Sequence, residues 1–344
     1  MSFAANWKAL ALVPAALLLC WAAVPEADDL SPKAKALRQS FKRVAVSYPD
    51  ENPYSAAKAD LGRLLFFDPI LSGSNSRSCA SCHNPGLSWG DGLPRALGEG
   101  QLPLALRSPT LLDVAWVPVL GWDGKFPDLE AVTFGPITGK GNMNLPEPEV
   151  LVSRLSGVRG YVSAFDAAFG KNGITRDNIE HALATYQRTI VAAEAPFDRW
   201  VNGDNTAIGT AEKRGFELFV GKAKCVECHS GPAMTDGSFH DIGTATGNDI
   251  GRGRLFPNSV KLRYAFKTPT LRDVARRGPY MHDGAIATLQ AVIDLYDRGG
   301  IERPSRSPKI TPLAMSGEEK ADLLAFLRTL DGAPQPVQVP VLPR

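Results

Sequence analysis

Residues 79–83 read CASCH and residues 225–229 read CVECH. In each stretch two thiols three positions apart can reach the two vinyl groups on one edge of a porphyrin. The imidazole that follows can then meet the iron from the proximal face. Cys79 with Cys82, and Cys225 with Cys228, are therefore read as thioether anchors for two covalently bound haem c groups, with His83 and His229 as axial ligands. This constrains the fold more than any other feature, because a chain wrapped around two porphyrins takes part of its core from them. A zinc site would need four converging ligands and would leave both matched histidines unexplained.

The chain has five cysteines, and the fifth, Cys20, lies in an N-terminal segment with a different logic. Lys8 precedes ALALVPAALLLCWAA, an apolar run of about 15 residues, and the polar, acidic VPEADD follows. Residues 1–27 read as a signal peptide cut somewhere in Ala22–Ala27, which places the mature chain in the periplasm. The run is short for a membrane span, so no stable membrane insertion is expected. With 38 basic and 36 acidic residues the chain has no field to draw nucleic acid. Its 344 residues suffice for two domains with separate cores.

The chain also repeats itself. Residues 107–136, RSPTLLDVAWVPVLGWDGKFPDLEAVTFGP, and 267–296, KTPTLRDVARRGPYMHDGAIATLQAVIDLY, align without a gap and share 11 of 30 positions. Each copy follows its own CxxCH, as two copies of one haem-binding unit would. The differences are more informative than the identities. Trp122 stands where His282 stands, each before Asp-Gly, and Pro136 stands where Tyr296 stands. If that position faces the open side of the haem in both copies, the second iron meets a phenol oxygen. The first meets a ring with no lone pair to give. One closed and one open iron is what a peroxide-using enzyme needs and a simple electron wire does not.

Tyr296 has a plainer reading. Leu289, Val292, Ile293 and Tyr296 fall at helical spacing, which would make it one more core aromatic. Met143, Met234 and Met281 are the other candidate sixth ligands for the second iron. A phenolate is a hard anionic donor that favours ferric and higher iron, whereas a thioether favours ferrous iron.

Helical periodicity covers about 32–47, 54–67, 147–158, 175–192, 206–220, 285–297 and 316–330, and no run alternates as a strand. Loops rich in Gly, Pro, Ser and Asn occupy 69–110, 135–148 and 231–260. The expected fold is all-α: two cytochrome c-like haem domains related by internal duplication, with long loops. The N-terminal, peroxide-reacting domain spans 28–194 and the C-terminal domain 205–335, joined near APFDRWVNGDN. A Pro-rich tail, 336–344, is expected to run extended over the surface.

The stretches RLLFFDPILSGSNSRSCASCH, WDG, GPI, FELFVGKAKCVECHSG, FHDIG, KTPTLRDV and GPYMHDG resemble, in order, the bacterial di-haem cytochrome c peroxidase and MauG superfamily. The likeness covers roughly 55–330. In that superfamily the residue fourteen past the HDG-type histidine ligates the second iron, as methionine in the peroxidases and tyrosine in MauG and its relatives. Here it is Tyr296, which places the chain in the tyrosine-ligated, MauG-like branch to which MbnH belongs. The resemblance implies that Trp122 lies between the haems and carries charge, and that Pro136 lines the distal pocket of the first haem. The peroxidases commonly keep a histidine in the loop after the first CxxCH, and no histidine lies between Asn84 and Arg107.

Departures from MauG are equally specific. Asn142 replaces the distal glutamate ahead of Met143, and Val132 a glutamine in the same pocket. Ala223 replaces the tryptophan through which MauG draws electrons from its substrate. The family's calcium between the domains is held partly by an asparagine, which here is Arg107. Asn142 can polarise peroxide by hydrogen bonding but is a poor base, which leaves ordered water, a haem propionate or Glu147 for proton transfer. Trp200 and Trp116 are candidate exits for a hole, and His240 and His282 are expected to hold hydrogen bonds near a haem without ligating.

The expected activity is that of a periplasmic enzyme. It would use hydrogen peroxide to form a high-valent di-haem state and oxidise a Trp or Tyr of a partner protein by long-range electron transfer. The alternatives are a cytochrome c peroxidase fed by a small redox protein and a non-catalytic di-haem electron-transfer protein.

Overall fold

The computed structural model describes Met1 and residues 30–344, so the signal-peptide reading and Cys20 lie outside the described residues. The chain is mainly α. In order come α1 (Pro32–Ser40), α2 (Ala56–Phe67), α3 (Leu129–Val132), α4 (Phe134–Thr138), α5 (Pro148–Ser156), α6 (Arg159–Phe169), α7 (Arg176–Arg188), α8 (Pro196–Val201), α9 (Thr210–Val220), α10 (Leu289–Arg298) and α11 (Gly317–Arg328). One short antiparallel pairing, β1 (Phe239–His240) with β2 (Phe266–Lys267), departs from the expectation of no strand.

Helix starts follow local chemistry. The Ser55 hydroxyl accepts from Lys58 N at 3.2 Å to begin α2, and Thr175 accepts from Asn178 N at 3.1 Å to begin α7. Ser316 and Glu319 form a reciprocal capping box at α11, with bonds of 3.1 and 2.7 Å. α10 ends at Gly299 with φ +83°, a left-handed cap that glycine adopts without strain.

Two cores form. In the first, α2 crosses α7 over Leu61, Leu65, Phe66, Ile179 and Leu183, and α5 and α6 add Leu151, Leu155, Tyr161 and Phe165. In the second, α9 crosses α11, and Phe216 packs 5.1 Å from Trp200 and 5.4 Å from Phe326. Each crossing depends on a glycine. A methyl group on Gly62 would run into the Ala182 carbonyl, and one on Gly215 into the Asp322 carbonyl.

The chain does not fill the cores in strict sequence order. Leu30, Ala34 and Phe41, which sequence groups with the first unit, pack into the second core. The segment expected to join the units is α8, whose Phe197 and Trp200 lie at the centre of that core, fully buried. Its start is fixed by Pro196 and by the Asp198 carboxylate, which accepts from Ala195 N at 2.9 Å. The C-terminal tail returns to the first half. There Val337 and Leu342 pack on the core, and the Gln338 carbonyl accepts from Arg63 at 3.3 Å.

Buried charge ties the halves together. Arg272, with no exposed surface, donates to Asp198 Oδ1 at 2.6 Å and to the Pro232 carbonyl at 2.8 Å, and lies 3.8 Å from Asp113. Asp113 and Asp273 occupy the same position in the two similar segments, and each has a left-handed backbone at the head of a short turn. Asp113 accepts from Ala192 N at 2.9 Å and Asp273 from Gly332 N at 3.0 Å, so each fastens the segment to the end of its half's last long helix.

Candidate functional site

Each CxxCH stretch is a single 3-10 turn. The Cys225 carbonyl accepts from Cys228 N at 3.2 Å and from His229 N at 2.8 Å. The Cys79 carbonyl accepts from Cys82 N at 3.2 Å and from His83 N at 2.9 Å. No disulfide joins these four cysteines. Burial pushes the thiols of Cys79 and Cys225 up to about 12. In both turns the histidine Nδ1 faces a carbonyl, Trp89 O at 3.3 Å for His83 and Met234 O at 3.1 Å for His229. A carbonyl only accepts, so Nδ1 carries the proton and Nε2 keeps its lone pair for a metal. Burial lowers the pKa of both rings, His229 to about 4, which holds them neutral as ligation requires.

The second turn opens into a cavity of about 500 Å³ lined by Cys225, Cys228, His229, Met281 and Tyr296. Tyr296 projects from α10 on the same face as Leu289 and Ile293, and all three line the cavity. Burial, and then the nearby thiols of Cys225 and Cys228, hold its phenol above its usual pKa. Of the three methionines considered as ligands, Met143 is buried in the first core and Met234 in the second, while Met281 shares the cavity with Tyr296.

The first turn is built on the other core. Cys79 packs against it, and Cys79, Cys82 and His83 do not line this cavity. Pro136 sits on α4 with its ring exposed, while Phe134 and Ile137 on the same helix point into the core. Asn142 follows in the next turn. Its N–H donates to Gly139 O at 2.9 Å and its carbonyl accepts from Glu99 N at 2.7 Å. Thus Pro136 and Asn142 lie together, apart from the cavity that holds Tyr296.

Trp122 lines the cavity of the second turn. The cavity extends to it and to Arg107 and Thr110 of the first half. Its Nε1 donates to the Arg107 carbonyl at 2.9 Å, and its ring centre lies 6.5 Å from that of His282. His282 is fully engaged, stacked 3.5 Å over Phe266 and bonded through Nε2 to Asp249 at 2.7 Å. His240 bonds Asp236 at 2.8 Å. With the Cys228 sulfur these two groups lie within 4.8 Å of one another, but that sulfur is already committed to the CxxCH turn. Trp200 is enclosed under the Arg38 guanidinium at 4.2 Å.

Sequence reading missed the cations around the cavity. Lys267 is half-buried, and desolvation lowers its ammonium to about 8. Burial, then the adjacent Arg107, lowers Arg277 to about 10. The Nε atoms of both Arg107 and Arg277 are buried without a hydrogen-bond partner. Buried donors without acceptors are costly, and the carboxylates of a porphyrin's propionates would satisfy them. With two thiols, a neutral imidazole and apolar walls, the donor set fits haem c. A signal existed, since Arg107 and Lys267 are the first residues of the two similar segments.

Residues 56–206 match the family described as di-haem cytochrome c peroxidase, and residues 212–331 match cytochrome c. The methylamine utilization protein MauG of Methylorubrum extorquens is 47% identical over 352 residues, covering 97% of this chain and 99% of that protein. MauG of Methylophilus methylotrophus is 45% identical over 310 residues, covering 89% and 92%. Among solved structures, a MauG-like protein associated with microbial copper homeostasis superposes with a TM-score of 0.79 at 28% identity, covering 84% of this chain and 93% of that one.

Proposed function

The chain belongs to the di-haem cytochrome c peroxidase and MauG family of oxidoreductases. On that premise we propose that it works in the periplasm, using hydrogen peroxide to oxidise a tryptophan or tyrosine of a partner protein by long-range electron transfer. The observation that carries this reading is the contrast between Tyr296, whose phenol faces the cavity of the second CxxCH turn, and Pro136, its counterpart on the first side, which has no donor atom. When bound, the two haems supply irons that exchange electrons with each other and, where a coordination position stays open, with peroxide.

The protein's residues divide the remaining work. Cys79 and Cys82, and Cys225 and Cys228, hold one porphyrin each, and His83 and His229 present Nε2 to the irons. Tyr296 would hold the second iron. Pro136 keeps the first side free of a competing ligand, and the Asn142 amide polarises peroxide there by hydrogen bonding. Trp122 spans the gap and passes charge between the two sides. Arg107, Arg277 and Lys267 would hold propionates. The recurring backbone geometry at Asp113 and Asp273 supports an origin of the two haem domains, 28–194 and 205–335, by duplication.

The second reading is a peroxidase reduced by a small redox protein, favoured by the name of the family that matches residues 56–206. The absence of any histidine between Asn84 and Arg107 weighs against it, as does Tyr296 in place of methionine. A non-catalytic electron carrier would need a sixth ligand on both irons, which Pro136 does not supply. The test incubates the holoprotein and peroxide with candidate partner proteins and follows their aromatic residues by mass spectrometry. An oxidised Trp or Tyr that requires both enzyme and peroxide is expected. Fast turnover with a small cytochrome and no modified residue would favour the peroxidase reading.

A further inference from the structure

Arg107 makes contacts that no other residue of the seam makes. Its N–H donates to the His282 carbonyl at 3.0 Å, and its own carbonyl accepts the Trp122 indole N–H at 2.9 Å. Its Nη2 donates to the Arg277 carbonyl at 3.0 Å. One buried residue of the first half therefore grips two backbone carbonyls of the second half and sets the indole that lies between them. Lys267, its counterpart, completes a reciprocal clasp by donating its N–H to the Trp122 carbonyl at 2.8 Å.

The resemblance implies a calcium ion between the domains, and the residues here do not fit one. Calcium takes six to eight oxygen ligands, several of them carboxylates in most sites. At this seam the Arg277 carbonyl is already taken by the Arg107 guanidinium, and the Arg277 guanidinium stands beside it. A divalent cation would meet two positive groups already facing the nearby carboxylates, Asp91 for Arg107 and Asp273 and Asp331 for Arg277, and would have to displace one of them.

We propose that the Arg107 guanidinium is a built-in cation that replaces a bound metal ion at the seam, holding the two halves in register and positioning Trp122. The halves then stay aligned in chelator, and the alignment is fixed covalently in the chain. Arg107 is a positioning residue that acts through Trp122. The inference rests on the reading that two haems flank Trp122, and haem content by absorbance and intact mass checks that premise separately.

The experiment uses the full chain with both haems loaded. Metal content is measured after dialysis against a chelator, and the two midpoint potentials are titrated with and without added calcium, for wild type and for Arg107→Gln. Wild type is expected to hold no stoichiometric calcium and to keep its potentials in either condition. Arg107→Gln is expected to change the ratio of the two haems' reduction equilibria about tenfold, which is about 59 mV for one electron. Where the glutamine variant fails to load both haems, Arg107→Lys, which keeps the charge and loses the planar fork, is expected to show a smaller change of the same sign. One calcium per wild-type chain, potentials that move on chelation, or a loaded variant with wild-type potentials would each overturn the proposal.

Discussion

The indole of Trp122 and the imidazole of His282 face each other edge-on, with ring centres 6.5 Å apart and planes at 68°. They occupy the same position in the two similar segments, and each one's carbonyl accepts an N–H from the other half, from Lys267 and Arg107 respectively. The two halves thus meet through equivalent residues. One of the pair is an easily oxidised indole, and the other is an imidazole held by Asp249 and Phe266.

Trp122→Phe keeps a ring in the seam and removes the N–H to the Arg107 carbonyl. Losing one such hydrogen bond costs about 1 kcal/mol, so a small fall in the denaturant midpoint of the holoprotein is expected. The larger effect falls on electron transfer between the sides. An interaction worth about 1.4 kcal/mol at the limiting step is a tenfold rate difference, and at least about that loss is expected in peroxide-driven oxidation of a partner. Unchanged rates would show that charge takes another path.

Glu130 on α3 is forked by Arg188 of α7, at 2.6 and 2.8 Å, and takes a third bond from Asn52 at 2.8 Å. Burial alone would raise its pKa, but the Arg188 and Asn52 bonds overcome this and hold it below its usual value. A depressed carboxyl contributes stability that is present above its unfolded pKa and is lost as pH falls through the folded one. Stability should therefore decline below about pH 4.5, the ordinary glutamate value. Glu130→Gln leaves Arg188 without its charge partner and should cost about 2 to 4 kcal/mol at pH 7. The cost should shrink towards pH 3, as followed by urea denaturation at both pH values.

Gly215→Ala should destabilise the second core by about 1 to 3 kcal/mol, because the new methyl meets the Asp322 carbonyl at the α9–α11 crossing. Gly317→Ala, at the exposed start of α11 with nothing within 4 Å of the new methyl, should be neutral or stabilise by up to about 1 kcal/mol. Thermal unfolding of the two variants distinguishes a packing cost from a general effect of removing glycine.

Motif spacing and helical period made much of this architecture legible. The CxxCH turns, seven of the eight helices of nine residues or more and the parallel between 107–136 and 267–296 follow from local pattern; α6 is the exception. What escaped is what depends on distant partners. α8 looked like a linker, because Asn202, Gly203 and Asp204 follow it closely and its apolar residues are few; only the second core shows why Phe197 and Trp200 are there. α1 was legible as a helix, but its attachment to the second core depends on Phe41 meeting Phe197, Phe216 and Phe219. In the site, Arg277 lies outside the quoted motifs, and nothing in KTPTLRDV marks Lys267 as a cation of the cavity wall. Their importance lies in losing solvent at the cavity wall, which lowers both cations even though Asp273 and Asp331 act on Arg277, and sequence does not show this.

The central claim is that the chain closes one iron with Tyr296 and leaves the other open beside Pro136. Electron paramagnetic resonance of the oxidised, fully loaded holoprotein, beside Tyr296→Phe, tests this most directly. The account predicts one low-spin and one high-spin ferric haem in the wild type, with the low-spin signal changed in the variant and the high-spin one retained. Two low-spin haems in the wild type, or a variant spectrum identical to the wild type, would contradict it.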